Sequence, residues 1–322
     1  MSGSTVRLGT GPAAQRWRSH GPFLTSEPTS VQVQSVLYLN DAEAIDRSLA
    51  SLARSAELLG AARGVVSVRY GDCSPIRCLE AEQVDALVAR YASALDVSYE
   101  WFGENLGSAR GHNRLAAGAT ADFLLTLNPD VVVAPRTLEL LLEPFRRTAV
   151  GMTEAKQLPI EHPKEYDGTT GATSWAATAC AVVPRALFED VEGFDADSFF
   201  MYCDDVDFSW KVRRAGLMVV HQPAAVVFHD KRVGLGGVWE PTAAERYYSA
   251  EAALLLFRKW SRPDLVERTL RDFDDAPDEV YQRAAAEFRR RREAGTLPAP
   301  VDDDHEIGIF EQGNYAAHRY VL

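Results

Sequence analysis

Three carboxylates within four positions, flanked by aromatic residues, form the stretch of this chain best suited to chemistry. Residues 199–210 read Phe-Phe-Met-Tyr-Cys-Asp-Asp-Val-Asp-Phe-Ser-Trp, with the acids at Asp204, Asp205 and Asp207. Aromatic neighbours on both sides predict burial, and a buried carboxylate is costly unless a metal, a basic group or a substrate proton compensates it. The stretch therefore predicts a functional site. The plainer alternative is an acidic helix start, since Asp is favoured in the first turn of a helix.

Polar residues also follow three predicted strands. The strands cover Val31–Leu39, Gly64–Tyr70 and Phe123–Leu127, and the groups after them are Asn40-Asp41, Gly71-Asp72 and Asn128-Pro129-Asp130. Alternating strand and helix patterns predict an α/β sheet with parallel neighbours, whose ligands bind at the carboxyl ends of the strands. We therefore expect these polar groups to face one crevice, although Asn128 and Asp130 would suit a plain Asx turn equally well.

The sequence does not decide the roles of three further features. Residues 105–113 (Asn-Leu-Gly-Ser-Ala-Arg-Gly-His-Asn) place small residues before a predicted helix, but they lack the Lys of a Walker motif and the GxGxxG spacing, so neither an NTPase nor a dinucleotide-binding protein is indicated. His229 ends a predicted strand, where it is either a metal ligand or a surface histidine. Glu154 to Trp175 read as a long irregular loop, which is typical of a lid or a binding loop.

The composition is that of an ordinary globular protein and excludes some classes of function. The 322 residues are 46% hydrophobic and carry a formal net charge of −12, so a general nucleic-acid binder is not expected. Four cysteines, without paired zinc spacing or the density of a disulfide scaffold, favour a reducing cytoplasm. No window approaches the roughly 20 apolar residues of a membrane-spanning helix, whereas contact with a membrane surface stays open.

The chain divides into three predicted parts. Residues 1–30 are rich in Ser, Gly, Pro and Thr and are expected to form a poorly ordered arm, without the apolar core of a signal peptide. Residues 31–240 hold the alternating strands and helices of the α/β domain. Residues 241–322 form a helical extension and a tail. Their basic run Arg289–Arg292 is interpreted as a solvated helix end, with an anionic membrane surface as its alternative partner.

A series of short motifs follows a fixed order along the chain. They are Asn105-Leu106-Gly107, Gly111-His112-Asn113, Leu127-Asn128-Pro129-Asp130, Gly193-Phe194-Asp195, Phe200-Met201-Tyr202, Asp204-Asp205-Val206-Asp207 and His229. The series resembles family 2 glycosyltransferases of the GT-A fold, most of all their rhamnosyltransferase and galactofuranosyltransferase branch, and it spans about Val31 to Trp260. The resemblance implies a Rossmann-like α/β fold with a mixed, mostly parallel central sheet and C-terminal helices.

The resemblance also implies a metal site and a base. In that family, the last Asp of a D-x-D motif at a strand end binds the divalent metal that bridges the donor diphosphate. Asp130 matches that Asp, and Asn128 replaces the first one, which removes a charge but keeps an acceptor for the ribose. His229 matches a downstream His that completes the metal site in some members. The second acidic motif supplies the general base, which is expected to be Asp205, with Asp204 as the alternative.

Contacts to donor and acceptor are implied as well. Donor contacts are expected from Asn40, Asp72, Asn105, Gly107, Asn113, Asn128 and Asp130. Asp72 would accept from a pyrimidine N–H, but its turn Gly71–Ser74 departs from the Asp-Asn-x-Ser of the family, which leaves the base specificity open. On the acceptor side Tyr202 is expected, and Trp175 is either a stacking platform or a core residue.

The implied function is an inverting glycosyltransferase that needs Mn²⁺ or Mg²⁺ and moves a sugar from a UDP- or dTDP-sugar to a hydroxyl of a cell-envelope glycan or a lipid-linked acceptor. Its setting is the cytoplasm or the inner face of the membrane, and a homodimer stays open. One alternative is a sugar-nucleotide nucleotidyltransferase, but residues 38–41 offer no Gly-rich phosphate loop. Another is a catalytically silent sugar-nucleotide-binding protein, which Asn128 would suit.

Overall fold

A mixed β-sheet organises the chain. The computed structural model describes residues 6–25, 28–61, 63–162, 164–230 and 241–316. Its strands are β1 (Thr29–Leu37), β2 (Gly64–Asp72), β3 (Asp96–Trp101), β4 (Phe123–Leu127), β5 (Val131–Val133), β6 (Val150–Leu158), β7 (Ala172–Thr173), β8 (Cys180–Pro184) and β9 (Met218–His229). The strand order is β3-β2-β1-β4-β8-β6-β9-β5, with β7 paired to β9.

The strands β3, β2, β1 and β4 run parallel, and β8 then runs antiparallel between β4 and β6. The pair of β6 and β9 is parallel again, whereas β5 and β7 each run antiparallel to β9. Side chains on the inner strands are buried, since every residue of β4 and of β8 is shielded from solvent. The predicted mixed α/β sheet is confirmed.

Helices cover both faces of the sheet and extend beyond it. They are α1 (Pro12–Arg18), α2 (Ala42–Leu59), α3 (Ala81–Tyr91), α4 (Gly107–Ala116), α5 (Thr137–Leu142), α6 (Arg185–Asp190), α7 (Asp204–Arg214), α8 (Ala243–Lys259), α9 (Pro263–Asp274) and α10 (Glu279–Ala294). The predicted capping residue Asp41 accepts a hydrogen bond from Glu43 N at the start of α2, which satisfies a helix-end donor. No helix among the described residues is both long and apolar enough to span a bilayer.

Strand β6 corrects the loop predicted from Glu154 to Trp175. Residues 154–158 belong to this strand, which lies between β8 and β9 in the middle of the sheet. Its polar residues interrupt the apolar pattern that marks a buried strand. They are nevertheless buried, because other parts of the chain supply their hydrogen-bond and ion-pair partners. The Thr153 hydroxyl donates to Leu141 O at 2.9 Å, and Glu154 meets Lys164 at 2.7 Å. The described residues of 159–162 and 164–171 remain irregular, apart from a bridge at Tyr166.

The described part of the predicted N-terminal arm is also more ordered than expected. Helix α1 packs against the sheet domain, where Ala14 is fully buried and Trp17 is nearly so. The Trp17 indole donates to Asp190 at 2.7 Å, and Gly9 N donates to Arg213 O at 2.8 Å. These contacts offset the entropy of ordering this segment. Residues 1–5 and 26–27 of the predicted arm lie outside the described residues.

The C-terminal helices share a hydrophobic cluster with the α/β domain. This cluster joins Trp210 of α7 to Leu256 of α8, Leu270 of α9 and Phe288 of α10. The arginines of α10 are bound to the chain itself, as the solvated helix end predicts: for example, Arg289 pairs with Asp274 at 2.6 Å. The division into 31–240 and 241–322 stays a prediction, and residues 231–240 and 317–322 lie outside the described part.

Candidate active site

The carboxyl ends of the parallel strands β1, β2, β3 and β4 lie side by side, as expected. Loops from this edge bind one another through Ser74, whose hydroxyl accepts from Leu39 N at 2.8 Å and whose carbonyl accepts from the Trp101 indole at 2.9 Å. Asn40 lies beside them, half-exposed, with its side-chain oxygen accepting from Tyr38 N at 2.8 Å. The first two loops therefore line the same edge of the sheet.

Asp72 is buried by its own loop, which differs from the exposed base contact that was predicted. It has no solvent exposure, and its carboxylate accepts from Ser74 N at 2.9 Å, from Cys78 N at 2.7 Å and from the Tyr99 hydroxyl. Burial raises the pKa of Asp72, but the hydrogen bonds lower it by more than burial raises it, so the pKa lies below its ordinary value. In this structure Asp72 orders residues 73–78 and has no exposed oxygen for a pyrimidine N–H.

The start of α4 packs on the acidic stretch. Gly107 has φ of 69°, and a Cβ added there would lie 2.2 Å from Phe200 O, so only glycine fits. The next residue, Ser108, donates its N–H to Phe200 O at 2.9 Å, and Asn105 accepts from Gly107 N at 3.2 Å. Asn105 is exposed and stays available as a donor contact, whereas Gly107 fixes the position of the acidic stretch.

Asn113 binds a neighbouring turn of the fold through its side-chain amide. Its side-chain oxygen accepts from Phe194 N at 2.9 Å, and its amide nitrogen donates to Phe194 O at 2.7 Å. Both polar ends of the amide are thereby bound to the Gly193-Phe194 turn. Asn113 thus clamps α4 to that turn, and because its side chain is half-exposed, its donor contact stays a prediction.

Asp130 and His229 come together beside the end of β4. Asp130 Oδ1 lies 3.3 Å from His229 Nε2, and Asn128 Nδ2 lies 3.4 Å from the same nitrogen. Gln157 Oε1 lies 2.8 Å from His229 Nδ1, an arrangement in which Nδ1–H donates to the amide oxygen. A neutral ring then presents its Nε2 lone pair beside the Asp130 oxygen, and one cation can bind both atoms, whereas a protonated ring would donate from Nε2 directly to Asp130. The pair thus fits a divalent metal, and Gln157 orients its histidine.

The metal pair would supply only part of a coordination shell. Within the described ranges, no three His, Cys, Asp or Glu side chains come close enough to hold an ion together. Mg²⁺ and related hard cations commonly bind one or two carboxylates and take further ligands from water and substrate phosphates. Two protein ligands are therefore consistent with a metal that binds together with a phosphorylated ligand.

Asp204 and Asp205 begin helix α7 after a strained turn. Tyr202 and Cys203 have φ of 66° and 54°, values that residues other than glycine rarely adopt. Asp204 is only 4% exposed, and its Oδ2 atom has no hydrogen-bond partner among the described residues. Burial, and then the charge of Asp205, raise the pKa of Asp204 to about 7. Asp205 and Tyr202 are half-exposed, so both reach the surface of the crevice.

Residues 176–179 connect the metal pair to the acidic stretch. Asn128 N donates to Ala179 O at 2.9 Å, and Ala176 N donates to the Ser209 hydroxyl at 3.0 Å. That hydroxyl in turn donates to Asp205 O at 2.7 Å. The end of β4 and the first turn of α7 are therefore both bound to the same short segment, residues 176–179.

Trp175 is a core residue in this structure. It is 1% exposed, the Lys164 ammonium lies 3.9 Å from its ring centroid, and the edge of Tyr315 packs against it at 5.2 Å. The predicted stacking platform for an acceptor would need an exposed ring face. The core alternative that the sequence left open is therefore the correct one.

Two buried clusters of charged side chains lie beneath these elements, and the sequence analysis did not predict the one around Glu154. Glu154 has no solvent exposure and binds Lys164 at 2.7 Å, His221 at 3.0 Å and Ala177 N at 2.6 Å. No local motif marks these residues, because each lies on a different element. The other cluster includes Asp207, which accepts from Lys259 at 2.8 Å.

Asp204 links the stability of the fold to pH. A raised pKa means that the folded state holds a proton that the unfolded chain releases, so this stabilisation is complete below the ordinary value of 3.8 and is lost as pH rises through about 7. The Asp204→Asn variant cannot release that proton. Its free energy of unfolding should therefore rise relative to wild type by about 1 kcal/mol or more between about pH 5 and about pH 8.

Urea unfolding of both proteins at the two pH values measures this effect. A difference between variant and wild type that stays the same at both pH values would show that Asp204 is ionised throughout, in contradiction to its buried position. The exposed Asp197, with a side chain 96% accessible, provides the matched control Asp197→Asn. Its difference from wild type should be independent of pH over this range.

Known glycosyltransferases share parts of this sequence. The chain is 26% identical over 181 residues to the N-acetylglucosaminyl-diphospho-decaprenol L-rhamnosyltransferase of Mycobacterium tuberculosis, covering 42% of this chain and 59% of that protein. It is 28% identical over 171 residues to the pre-mycofactocin glycosyltransferase of the same species, covering 47% and 35%. The chain thus spans less than two thirds of the length of either relative. No family model matches it.

Solved structures share the fold at low identity. GalNAc-T7 with UDP, GalNAc and Mn²⁺ matches with a TM-score of 0.59 and 13% identity, over 85% of this chain and 56% of that one. The mannosyltransferase PcManGT from Pyrobaculum calidifontis, with GDP-Man and Mn²⁺, matches with a TM-score of 0.50 and 16% identity, over 91% and 90%. The chain therefore has the GT-A fold, and the resemblance to family 2 glycosyltransferases seen in its motifs is confirmed.

Proposed function

We propose that this chain is an inverting, metal-dependent glycosyltransferase that moves a sugar from a UDP- or dTDP-sugar to a hydroxyl of a glycan or lipid-linked acceptor. The observation that carries the proposal is the Asp130–His229 pair, 3.3 Å apart at the carboxyl edge of the sheet and joined by residues 176–179 to the first turn of α7, which bears Asp205. The names of the similar proteins support it, since they are glycosyltransferases and the solved ones hold nucleotides with Mn²⁺.

The metal pair suits the leaving group. Departure of a nucleoside diphosphate builds negative charge on its phosphate oxygens, and a bound Mn²⁺ or Mg²⁺ would supply charge that stabilises it. Asp130 and His229 would hold the ion, and Gln157 keeps His229 in the tautomer that binds metal. Asn128 contributes no charge, so its amide is left to bind the ribose or a phosphate oxygen.

Asp205 is placed to take the acceptor proton. Its backbone is fixed by Ser209 and its side chain is half-exposed, so a carboxylate oxygen can accept the proton of an entering hydroxyl. A single displacement at the anomeric carbon needs one base and inverts the configuration there. Asp204 is the alternative base, but it is only 4% exposed, so an entering hydroxyl reaches it less easily than Asp205.

Loss of Asp130, or of the Gln157 amide that orients His229, should weaken metal binding. We expect Asp130→Ala to lower the affinity for Mn²⁺ in the presence of nucleoside diphosphate by about tenfold or more, and Gln157→Leu to lower it by about 10- to 100-fold through the orientation of His229. Isothermal titration of Mn²⁺ measures both. The control Asp230→Asn removes a neighbouring charge but keeps both ligands. Equal affinities in Asp130→Ala and in this control would remove Asp130 from the metal site.

A catalytically silent sugar-nucleotide-binding protein is the second candidate, because Asn128 stands where the family has an acidic residue. Hydrolysis or transfer separates the two functions. Purified protein is incubated with a panel of nucleotide sugars with Mn²⁺ or with EDTA, and release of nucleoside diphosphate is measured. Metal-dependent release from at least one donor supports the enzyme, whereas tight donor binding without release, also in the presence of glycan acceptors, supports the silent protein.

The setting and partners are also proposals. We place the enzyme in the cytoplasm or at the inner face of the membrane, acting on a cell-envelope acceptor, and a homodimer remains part of this proposal. The four cysteines, three of them buried, are all thiols and not disulfides, which supports a reducing compartment. A sedimentation assay with anionic vesicles tests the membrane contact, and sedimentation velocity tests the dimer.

A further inference from the structure

A cavity of about 330 Å³ lies beside the metal pair. Helix α2 forms one side of it, β5 another, and the end of β9 a third. Its lining residues are Ala44, Arg47, Asp130, Val132, Pro159, Phe228, His229 and Asp230. The cavity thus opens directly onto the two side chains that fit a divalent metal. A further cavity, of about 360 Å³, lies near the amino end of β1 and contains no predicted site residue.

The negative charge around the cavity, with a donor diphosphate bound, exceeds the positive charge of one divalent metal. Asp130 and Asp230 are acidic, and a donor diphosphate would add negative charge beside them. One divalent metal offsets part of this total. Among the described residues that line the cavity, Arg47 has the permanently charged cation. Apolar side chains such as Val132 and Phe228 exclude part of the water, so charges meeting here are screened less than on an open surface.

Arg47 is free to turn towards a ligand. Its ion pair with Glu43 is long, at 3.9 Å, and both side chains are largely exposed, at 60% and 85%. Such pairs contribute little, so exchanging Glu43 for a phosphate costs little. A guanidinium presents several N–H donors in a fixed plane and binds two phosphate oxygens at once, which an ammonium cannot do.

We propose that Arg47 binds the diphosphate of the donor from the side of α2, opposite to the metal held by Asp130 and His229. This assignment rests on the proposed function and adds a residue that no motif of the chain contains. The diphosphate then lies between two cationic groups, one on each side of the cavity. Nucleoside diphosphates gain more from Arg47 than nucleoside monophosphates, because they extend further and carry more charge.

Titration calorimetry of the full chain with UDP, dTDP, UMP and dTMP, in Mn²⁺ and again in EDTA, tests this assignment. We expect Arg47→Ala to weaken diphosphate binding by about tenfold, the size of one charge-assisted hydrogen bond, and to weaken monophosphate binding less. Arg47→Lys should recover part of the loss. The diphosphate effect should persist in EDTA, since it depends on Arg47 and not on the metal.

Arg54→Ala is the matched control. Arg54 lies two turns further along the same face of α2, with 62% of its side chain exposed and an ion pair to Glu57 at 3.1 Å. The Arg54→Ala variant should bind every nucleotide with the affinity of the wild type. Equal diphosphate affinities for Arg47→Ala and Arg54→Ala would overturn the role of Arg47 while leaving the proposed function intact. Failure of the wild type itself to bind either diphosphate would overturn both.

Discussion

Replacing Asp205 by asparagine lowers the rate of sugar transfer by about 10²- to 10⁴-fold and leaves donor binding at the wild-type level. The amide keeps the size of the carboxylate and its acceptor for Val206 N, now 2.8 Å away, but it cannot take a proton from the acceptor hydroxyl. The folded structure should therefore persist while the chemical step slows. Single-turnover transfer and nucleotide titration, carried out on the same preparation, separate the two quantities.

Asp197→Asn is the control for the loss of one carboxylate, and its transfer rate should equal that of the wild type. Asp204→Asn should cost less than Asp205→Asn, because Asp204 is buried away from an entering hydroxyl and burial raises its pKa to about 7. Transfer by Asp205→Asn at a rate near wild type would show that the base assignment is wrong. Asp204, next to it on the same helix turn, would then be the base.

Replacing Lys164 by methionine should lower the free energy of unfolding by about 3 to 5 kcal/mol. Lys164 is 2% exposed and binds both oxygens of Glu154, which has no solvent exposure. The variant leaves the Glu154 carboxylate buried with less compensation, since His221 and Ala177 N remain its partners. Denaturant midpoints, with slopes checked for unchanged cooperativity, measure the loss.

The double variant Lys164→Met/Glu154→Leu removes both charges together and should be more stable than Lys164→Met alone. This reversal identifies an uncompensated charge, because a simple packing defect would grow with the second change. A loss below about 1 kcal/mol in Lys164→Met would place this pair with ordinary surface ion pairs and contradict its burial. The control Arg54→Ala removes an exposed cation and should change stability little.

The sequence predicted the strands that reach the site, because their apolar runs and polar ends are local features. It also named Asp130 and His229 as metal ligands through their resemblance to a family. Their meeting depends on the antiparallel pairing of β5 and β9, which sets Val131 opposite His229. Such a pairing is not encoded in either segment alone, so only the order of motifs pointed to it.

The sequence did not reveal that the fold itself binds two of the predicted site residues. Asp72 and Asn113 have side chains that ligand sites use, and backbone groups of neighbouring turns already bind both. Backbone N–H groups in turns need acceptors when water is excluded, and polar side chains supply them. The same reason hid Glu154, whose partners come from Lys164 and His221 on other elements.

Thermal unfolding of the wild type and of Asp130→Ala, with UDP or dTDP and with Mn²⁺ or EDTA, tests the central claim most directly. A ligand that binds only the folded state raises its stability by an amount that grows with the ratio of free ligand to Kd. We predict stabilisation of the wild type by at least one of the two diphosphates with Mn²⁺, a smaller effect in EDTA, and little difference between Mn²⁺ and EDTA for Asp130→Ala. The absence of stabilisation by either diphosphate, with or without Mn²⁺, would contradict a nucleotide-sugar glycosyltransferase.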